Sequence, residues 1–105
     1  MTSKEFNSKY VKNGKILPND VDKIEGSLDL SDNKISKIEN LPDKIEGDLY
    51  LYNNNISKIE NLPDKIEEGL YLGGNPLPKR YKGKSFDELK KMLHKEKVLD
   101  RILSK

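Results

Sequence analysis

Residues 24–44 read IEGSLDLSDNKISKIENLPDK and residues 45–65 read IEGDLYLYNNNISKIENLPDK, identical at sixteen of twenty-one positions. A unit this short cannot bury an apolar face alone, so tandem copies must stack and share one continuous core. The apolar positions follow the rule I-x-G-x-L-x-L-x-x-N-x-I-x-x-I-x-x-L-P. The first copy supplies Ile24, Leu28, Leu30, Asn33, Ile35, Ile38 and Leu41; the second supplies Ile45, Leu49, Leu51, Asn54, Ile56, Ile59 and Leu62. A degenerate third copy keeps Ile66, Leu70, Leu72, Asn75 and Leu77 and ends at Pro76 and Pro78. The first seven positions of each copy alternate strictly, which predicts one strand with a single buried face, followed by a turn-rich return. In that register Gly26 and Gly47 face inward, where close packing explains a residue without a side chain.

Only 33% of the 105 residues are apolar, poor for a spherical globule but sufficient for a stack that buries a thin stripe per unit. The expectation is a single domain, 1–105, with residues 24–78 as three 21-residue repeats. Stacks expose an apolar cross-section and unpaired edges at each end, so caps are required. Residues 1–23 form the N-terminal cap. There YVKNGKIL places two β-prone runs around Asn13-Gly14, predicting a hairpin over residues 9–17 with a type I′ turn. Residues 79–105 form a basic linker and C-terminal cap. Ser85 and Glu88 make a capping-box signature, and Phe86, Leu89, Met92, Leu93, Leu99, Ile102 and Leu103 recur at helical spacing. This predicts a helix from Phe86 to Leu103, packed over the last repeat by that stripe.

LDLSDNKI, LYLYNNNI and LYLGGNPL resemble the L-x-L-x-x-N-x-L core of leucine-rich repeats. The NLPDKI segments resemble the Leu-Pro punctuation of the short bacterial subclass. The unit opens I-x-x-x-L, one residue longer than in secreted bacterial effectors and closer to the G-x-L-x-L variety of phage and bacterial genomes. The resemblance covers residues 24–78. It implies an α/β fold, a short leucine-rich-repeat solenoid with parallel strands on its concave face, capped by the N-terminal hairpin and the C-terminal helix. It also implies that Asn33, Asn54 and Asn75 are structural, bonding buried backbone between coils, and that the protein is a binding scaffold. A phage-encoded inhibitor that occludes a host or defence protein, in the cytoplasm of a bacterial or phage-infected cell, is one form of that expectation.

Chemistry-bearing residues are sparse. Without cysteine there is no disulfide, thiolate metal site or cysteine nucleophile. The single histidine, His94, lies in the basic helix with no nucleophile to pair with, and reads as an ordinary exposed side chain. Asp29 and Asp32 fall short of a calcium loop, and the second copy has neither acid. Gly73-Gly74 precede no helix, so they do not cradle phosphate. The expectation is a non-enzymatic protein with no cofactor or metal. No apolar run in the N-terminal region reaches signal-peptide length and none elsewhere reaches membrane-spanning length, so a soluble protein without a membrane partner is expected.

What varies between the two copies is confined to residues 27–34 and their equivalents, mostly every second residue. If the leucines face inward, Glu25, Ser27, Asp29 and Ser31 face outward, as do Glu46, Asp48, Tyr50 and Tyr52, then Glu67, Gly69, Tyr71 and Gly73. Exposed tyrosine is favoured at binding hot spots. Five acids stand on this face (Glu25, Asp29, Glu46, Asp48 and Glu67) with no Lys or Arg among them, so it suits a basic partner surface. The candidate partner-binding residues are therefore Glu25, Asp29, Glu46, Asp48, Tyr50, Tyr52, Asn53 and Tyr71. A second candidate follows from charge asymmetry. Residues 1–78 carry ten Lys and fourteen acids, whereas residues 79–105 carry ten Lys or Arg and four acids. There Lys79, Arg80, Lys82 and Lys84 surround Tyr81, a mixture that can follow a nucleic-acid backbone. Self-association through the tyrosine face is a third reading; the sequence does not specify an oligomeric state.

Overall fold

The computed structural model describes residues 1–103; the last two residues of the expected C-terminal cap lie outside the described residues. The chain opens with helix α1 (Ser3–Tyr10). Thr2 caps it through a capping box: the Glu5 amide donates to Thr2 Oγ1 and Glu5 Oε1 accepts from the Thr2 amide, each at 3.3 Å. This helix departs from the sequence expectation, in which the cap was a hairpin beginning at residue 9. It buries only Phe6, so it has no apolar stripe to betray it. The hairpin itself forms as expected but is shorter: β1 (Val11–Lys12) pairs antiparallel with β2 (Lys15–Ile16). Asn13 and Gly14 take φ of 50° and 77°, as a type I′ turn requires.

The repeats form six two-residue strands: β3 (Lys23–Ile24), β4 (Leu28–Asp29), β5 (Lys44–Ile45), β6 (Leu49–Tyr50), β7 (Lys65–Ile66) and β8 (Leu70–Tyr71). They assemble into two parallel sheets, β3-β5-β7 and β4-β6-β8, with every partner 21 residues on. The seven-position alternating run is thus not one strand. It breaks at a bend after β3, β5 and β7, where Gly26 is exposed rather than inward-facing. Gly47 is buried, with a Cβ there falling 2.5 Å from Ser27 Oγ and 2.7 Å from the Ser27 amide nitrogen, so close packing does explain that glycine.

The apolar positions of the rule fill the interior. Ile24, Leu28, Leu30, Ile35 and Ile38 are fully buried, as are Ile45, Leu49, Leu51 and Ile56 in the second copy. Returns lacking regular structure leave backbone groups without strand partners, and asparagines supply them. Asn54 Oδ1 accepts from the amides of Asn33 (2.9 Å) and Ile35 (3.0 Å), and its Nδ2 donates to the carbonyls of Leu30 and Leu51, both at 3.1 Å. Asn75 repeats this one copy later, accepting from Ile56 N at 3.1 Å and donating to Leu51 O at 2.8 Å. A second asparagine row, unread in the sequence, shares the period: Asn19 Nδ2 donates to Asn40 O, Asn40 Nδ2 to Ile16 O and Asn61 Nδ2 to Ile38 O. Asn40 and Asn61 also sit in the left-handed region, φ 55° and 51°, which asparagine tolerates better than most residues.

Helix α1 closes the N-terminal edge. Ser3 Oγ accepts from the Asp29 amide (2.9 Å), Asn7 Nδ2 donates to Asp29 O (2.7 Å), and Met1 O accepts from the Glu25 amide (3.3 Å). At the other end a 3-10 turn (Lys79–Tyr81) leads to α2 (Phe86–Leu103), capped by Ser85 and Glu88 as the signature predicts. Leu89 is fully buried, and Phe86, Met92 and Leu93 pack partly against the core. The rest of the stripe does not pack: Leu99, Ile102 and Leu103 are 55%, 61% and 72% exposed. The core-packed residues of α2 end at Leu93, less than halfway along its 18 residues, so the helix continues past the core it covers. Among the described residues, no helix is long and apolar enough to cross a membrane.

Candidate interaction surface

Pairing in register sets Asp29, Tyr50 and Tyr71 in one row across β4, β6 and β8, with the leucine before each turned inward. Adjacent strands lie about 4.8 Å apart, the separation at which offset aromatic rings stack. The Tyr50 and Tyr71 rings accordingly lie 5.1 Å apart and 16° from parallel. Tyr52, two residues along β6's exit, completes the cluster at 6.1 Å from Tyr50 and 5.8 Å from Tyr71. Its ring lies over Gly73, where a Cβ would come within 3.1 Å. Tyr52 and Tyr71 are 37% and 39% exposed, Tyr50 less. The Tyr50 hydroxyl donates to Asp48 Oδ2 at 3.1 Å. That hydrogen bond is the main reason its phenol pKa is pushed up, aided by desolvation and the charge of Asp48, so Tyr50 is held as a neutral donor.

Some of the variation between copies has a structural origin. Ser27 Oγ accepts from the Asp48 amide at 2.9 Å and Ser31 Oγ from the Tyr52 amide at 3.1 Å, so the first copy's serines tie it to the second. Asp29 Oδ1 accepts from the Ser31 amide at 3.0 Å. Asp32, Asn53 and Gly74 occupy equivalent turn positions with φ of 59°, 55° and 75°. All three residue types suit that conformation. Asn53 is exposed at the strand exit, and its amide donates to Gly73 O.

The acidic character of the face is weaker than the sequence suggested. Lys23, Lys44 and Lys65 stand in register, each two residues before Glu25, Glu46 and Glu67. Glu67 Oε1 lies 3.4 Å from Lys44 Nζ and 4.0 Å from Lys65 Nζ. Starting the repeat at Ile24 left out the lysine that alternation puts beside each glutamate. Asp29 and Asp48 are the acids that adjoin the rings.

The basic cluster also differs from its expected form. Lys79, Arg80, Lys82 and Lys84 are exposed, but Tyr81 is buried. Its hydroxyl donates to Glu96 Oε1 at 2.9 Å, and the Arg80 guanidinium lies 4.7 Å above its ring while Nη2 donates to its hydroxyl. Arg80 Nε is also 3.5 Å from Glu96. The ring and one cation are therefore engaged in anchoring the turn to α2, leaving no aromatic for base stacking. His94 is exposed. Among the described residues no three His, Asp or Glu side chains gather to hold a metal ion. Comparisons with protein-family models, curated proteins and solved structures find no match to this chain.

Proposed function

We propose that the chain is a short solenoid of the leucine-rich-repeat type and serves as a non-enzymatic protein-binding module. The solenoid reading is supported by the 21-residue parallel register and by the bonds of Asn54 and Asn75 to neighbouring copies. The observation that carries the binding reading is the cluster of three rings on the outward face, with Tyr50 stacked on Tyr71 and on Tyr52, and Tyr52 tilted against Tyr71. Rigid stacked tyrosines present a large contact area at small entropic cost. Asp29 and Asp48 beside them favour a partner that offers Lys or Arg, whose cation can sit on a ring face while pairing with a carboxylate. Binding through such a face acts by occluding the partner's surface; inhibition of a host or defence protein by a phage-encoded chain is the particular form we favour.

The test begins with affinity capture and mass spectrometry, followed by binding measurements on the purified partner. Tyr50→Ala combined with Tyr52→Ala should weaken binding about a hundredfold, as expected for two hot-spot residues, under conditions where circular dichroism shows both chains fully folded. Neutralising Lys79, which is exposed and lies apart from the tyrosine cluster, should leave that affinity intact. Retention by the tyrosine variant together with loss in the lysine variant would transfer the function to the basic segment.

A further inference from the structure

The last strand of the β4-β6-β8 sheet is left as an open template. In the first copy the amides of Leu28, Leu30 and Asp32 donate to the carbonyls of Asp48, Tyr50 and Tyr52; in the second, those of Leu49, Leu51 and Asn53 donate to Gly69, Tyr71 and Gly73. These bonds span 2.8 to 3.0 Å. The equivalent amides of the third copy belong to Leu70, Leu72 and Gly74, and among the described residues they have no acceptor. The chain does not seal this edge as α1 seals the other. A groove of about 700 Å³ runs along it instead, with Leu70, Tyr71 and Leu72 on one wall and Lys82, Lys84 and Ser85 on the other. It continues past the start of β8 into a second hollow of about 320 Å³ lined by Glu67, Glu68 and Asp87.

We infer that this groove receives an extended peptide segment of a partner protein, which adds to β8 as a fourth parallel strand. Parallel addition continues the pattern of the repeats: alternate carbonyls of the segment accept from Leu70, Leu72 and Gly74, and its amides donate to the free Leu70 carbonyl. Outward residues of the segment extend the row that ends at Tyr71, while its inward residues meet Leu70 and Leu72. Charge fixes its polarity. The start of the strand lies by Glu68 and Asp87 and takes basic residues; the finish lies by Lys82 and Lys84 and takes acidic ones. A second copy of this chain is the poorer occupant. Its β8 carries its own wall of residues 81–88, and edge-to-edge pairing would drive both walls into the same space. The inference concerns the backbone of β8 and stands apart from whether the tyrosine cluster binds a protein.

The test uses the full chain and the synthetic peptide KKGLYLYED, with amide hydrogen exchange and chemical shifts read by NMR. Exchange at Leu70, Leu72 and Gly74 should slow by at least about tenfold on saturation, as hydrogen-bonded protection requires. Methylating the backbone nitrogen of the peptide's first tyrosine, which faces β8, should abolish binding; methylating that of its second leucine, which faces away, should not. The charge-reversed peptide DEGLYLYKK should bind about tenfold more weakly, the sum of several exposed ion pairs. The inference is overturned if the three amides are unchanged at about 1 mM peptide, if shifts map elsewhere, or if both methylated peptides bind alike.

Discussion

Replacing Asn54 with alanine removes a side chain that ties two successive copies together. Asn54 is 5% exposed and makes five hydrogen bonds: two accepted from the Asn33 and Ile35 amides and three donated, to the Leu30, Leu51 and Tyr52 carbonyls. The two amides have no substitute acceptor, because the chain around them is not in a strand. Each buried orphan donor costs about 1–3 kcal/mol, with Ile35 near the upper figure and the less buried Asn33 near the lower, so the sum is about 3–4 kcal/mol. A domain of this size is stable by roughly 5–15 kcal/mol, which makes the loss a large share of the total. Urea unfolding followed by circular dichroism should show a lower midpoint at an unchanged slope. Asn33→Ala is the internal control. That side chain lies at the end of the ladder, donates only to Asn7 Oδ1 and Ser31 O, at 3.3 and 3.2 Å, and is partly solvated. Its loss should cost below about 1 kcal/mol. If Asn54→Ala destabilises no more than Asn33→Ala, the asparagine ladder is not what holds the copies together.

Further outcomes follow from single residues. Lys34 holds φ at 58°, whereas Asn55 at the equivalent position lies outside the left-handed region; Lys34→Gly should therefore stabilise by about 0.5–1 kcal/mol and Asn55→Gly should destabilise, as read by denaturation midpoints. Gly47→Ala should cost roughly 2 kcal/mol or more, since its Cβ would fall 2.5 Å from Ser27 Oγ. Glu5 and Glu88 have carboxyl pKa values held low by their hydrogen bonds to Thr2 and Ser85. A lowered folded value means that their support is present above the ordinary carboxylate range and disappears as pH falls through the folded value. Helicity should decline over that acid range, with the slope reduced in the Glu5→Gln, Glu88→Gln double variant. Tyr50 has the opposite sign: its raised phenol pKa stabilises the fold below the ordinary tyrosine value and ceases to do so as pH rises through the raised one. Ultraviolet titration should show the late ionisation of Tyr50, and Asp48→Asn should bring it to lower pH.

The repeat made the interior legible, because a strict period carries the same burial from copy to copy; Leu28, Leu49 and Leu70 all face in for one reason. The tyrosine row was legible too, since alternation about those leucines leaves Tyr50 and Tyr71 on the other side. What stayed hidden depended on events outside the pattern. The bend at Gly26 and Gly47 converts an alternating run into two strands, a backbone choice that alternation does not report. Helix α1 buries a single phenylalanine, and its Thr2-x-x-Glu5 signature precedes no apolar run. The engagement of Glu67 by Lys44 and Lys65 required the strand boundary to be placed one residue earlier. Tyr81 lies in a run of cations, yet Glu96, fifteen residues away, draws its hydroxyl inward. The exposed end of α2 reflects where the core beneath it stops, which no helical periodicity encodes.

The measurement that bears most directly on the proposed function is the dissociation constant of the captured partner for the unaltered chain and for the variant carrying Tyr50→Ala and Tyr52→Ala, taken where both chains are fully folded. The proposal predicts a loss of about a hundredfold. Equal affinities would contradict it.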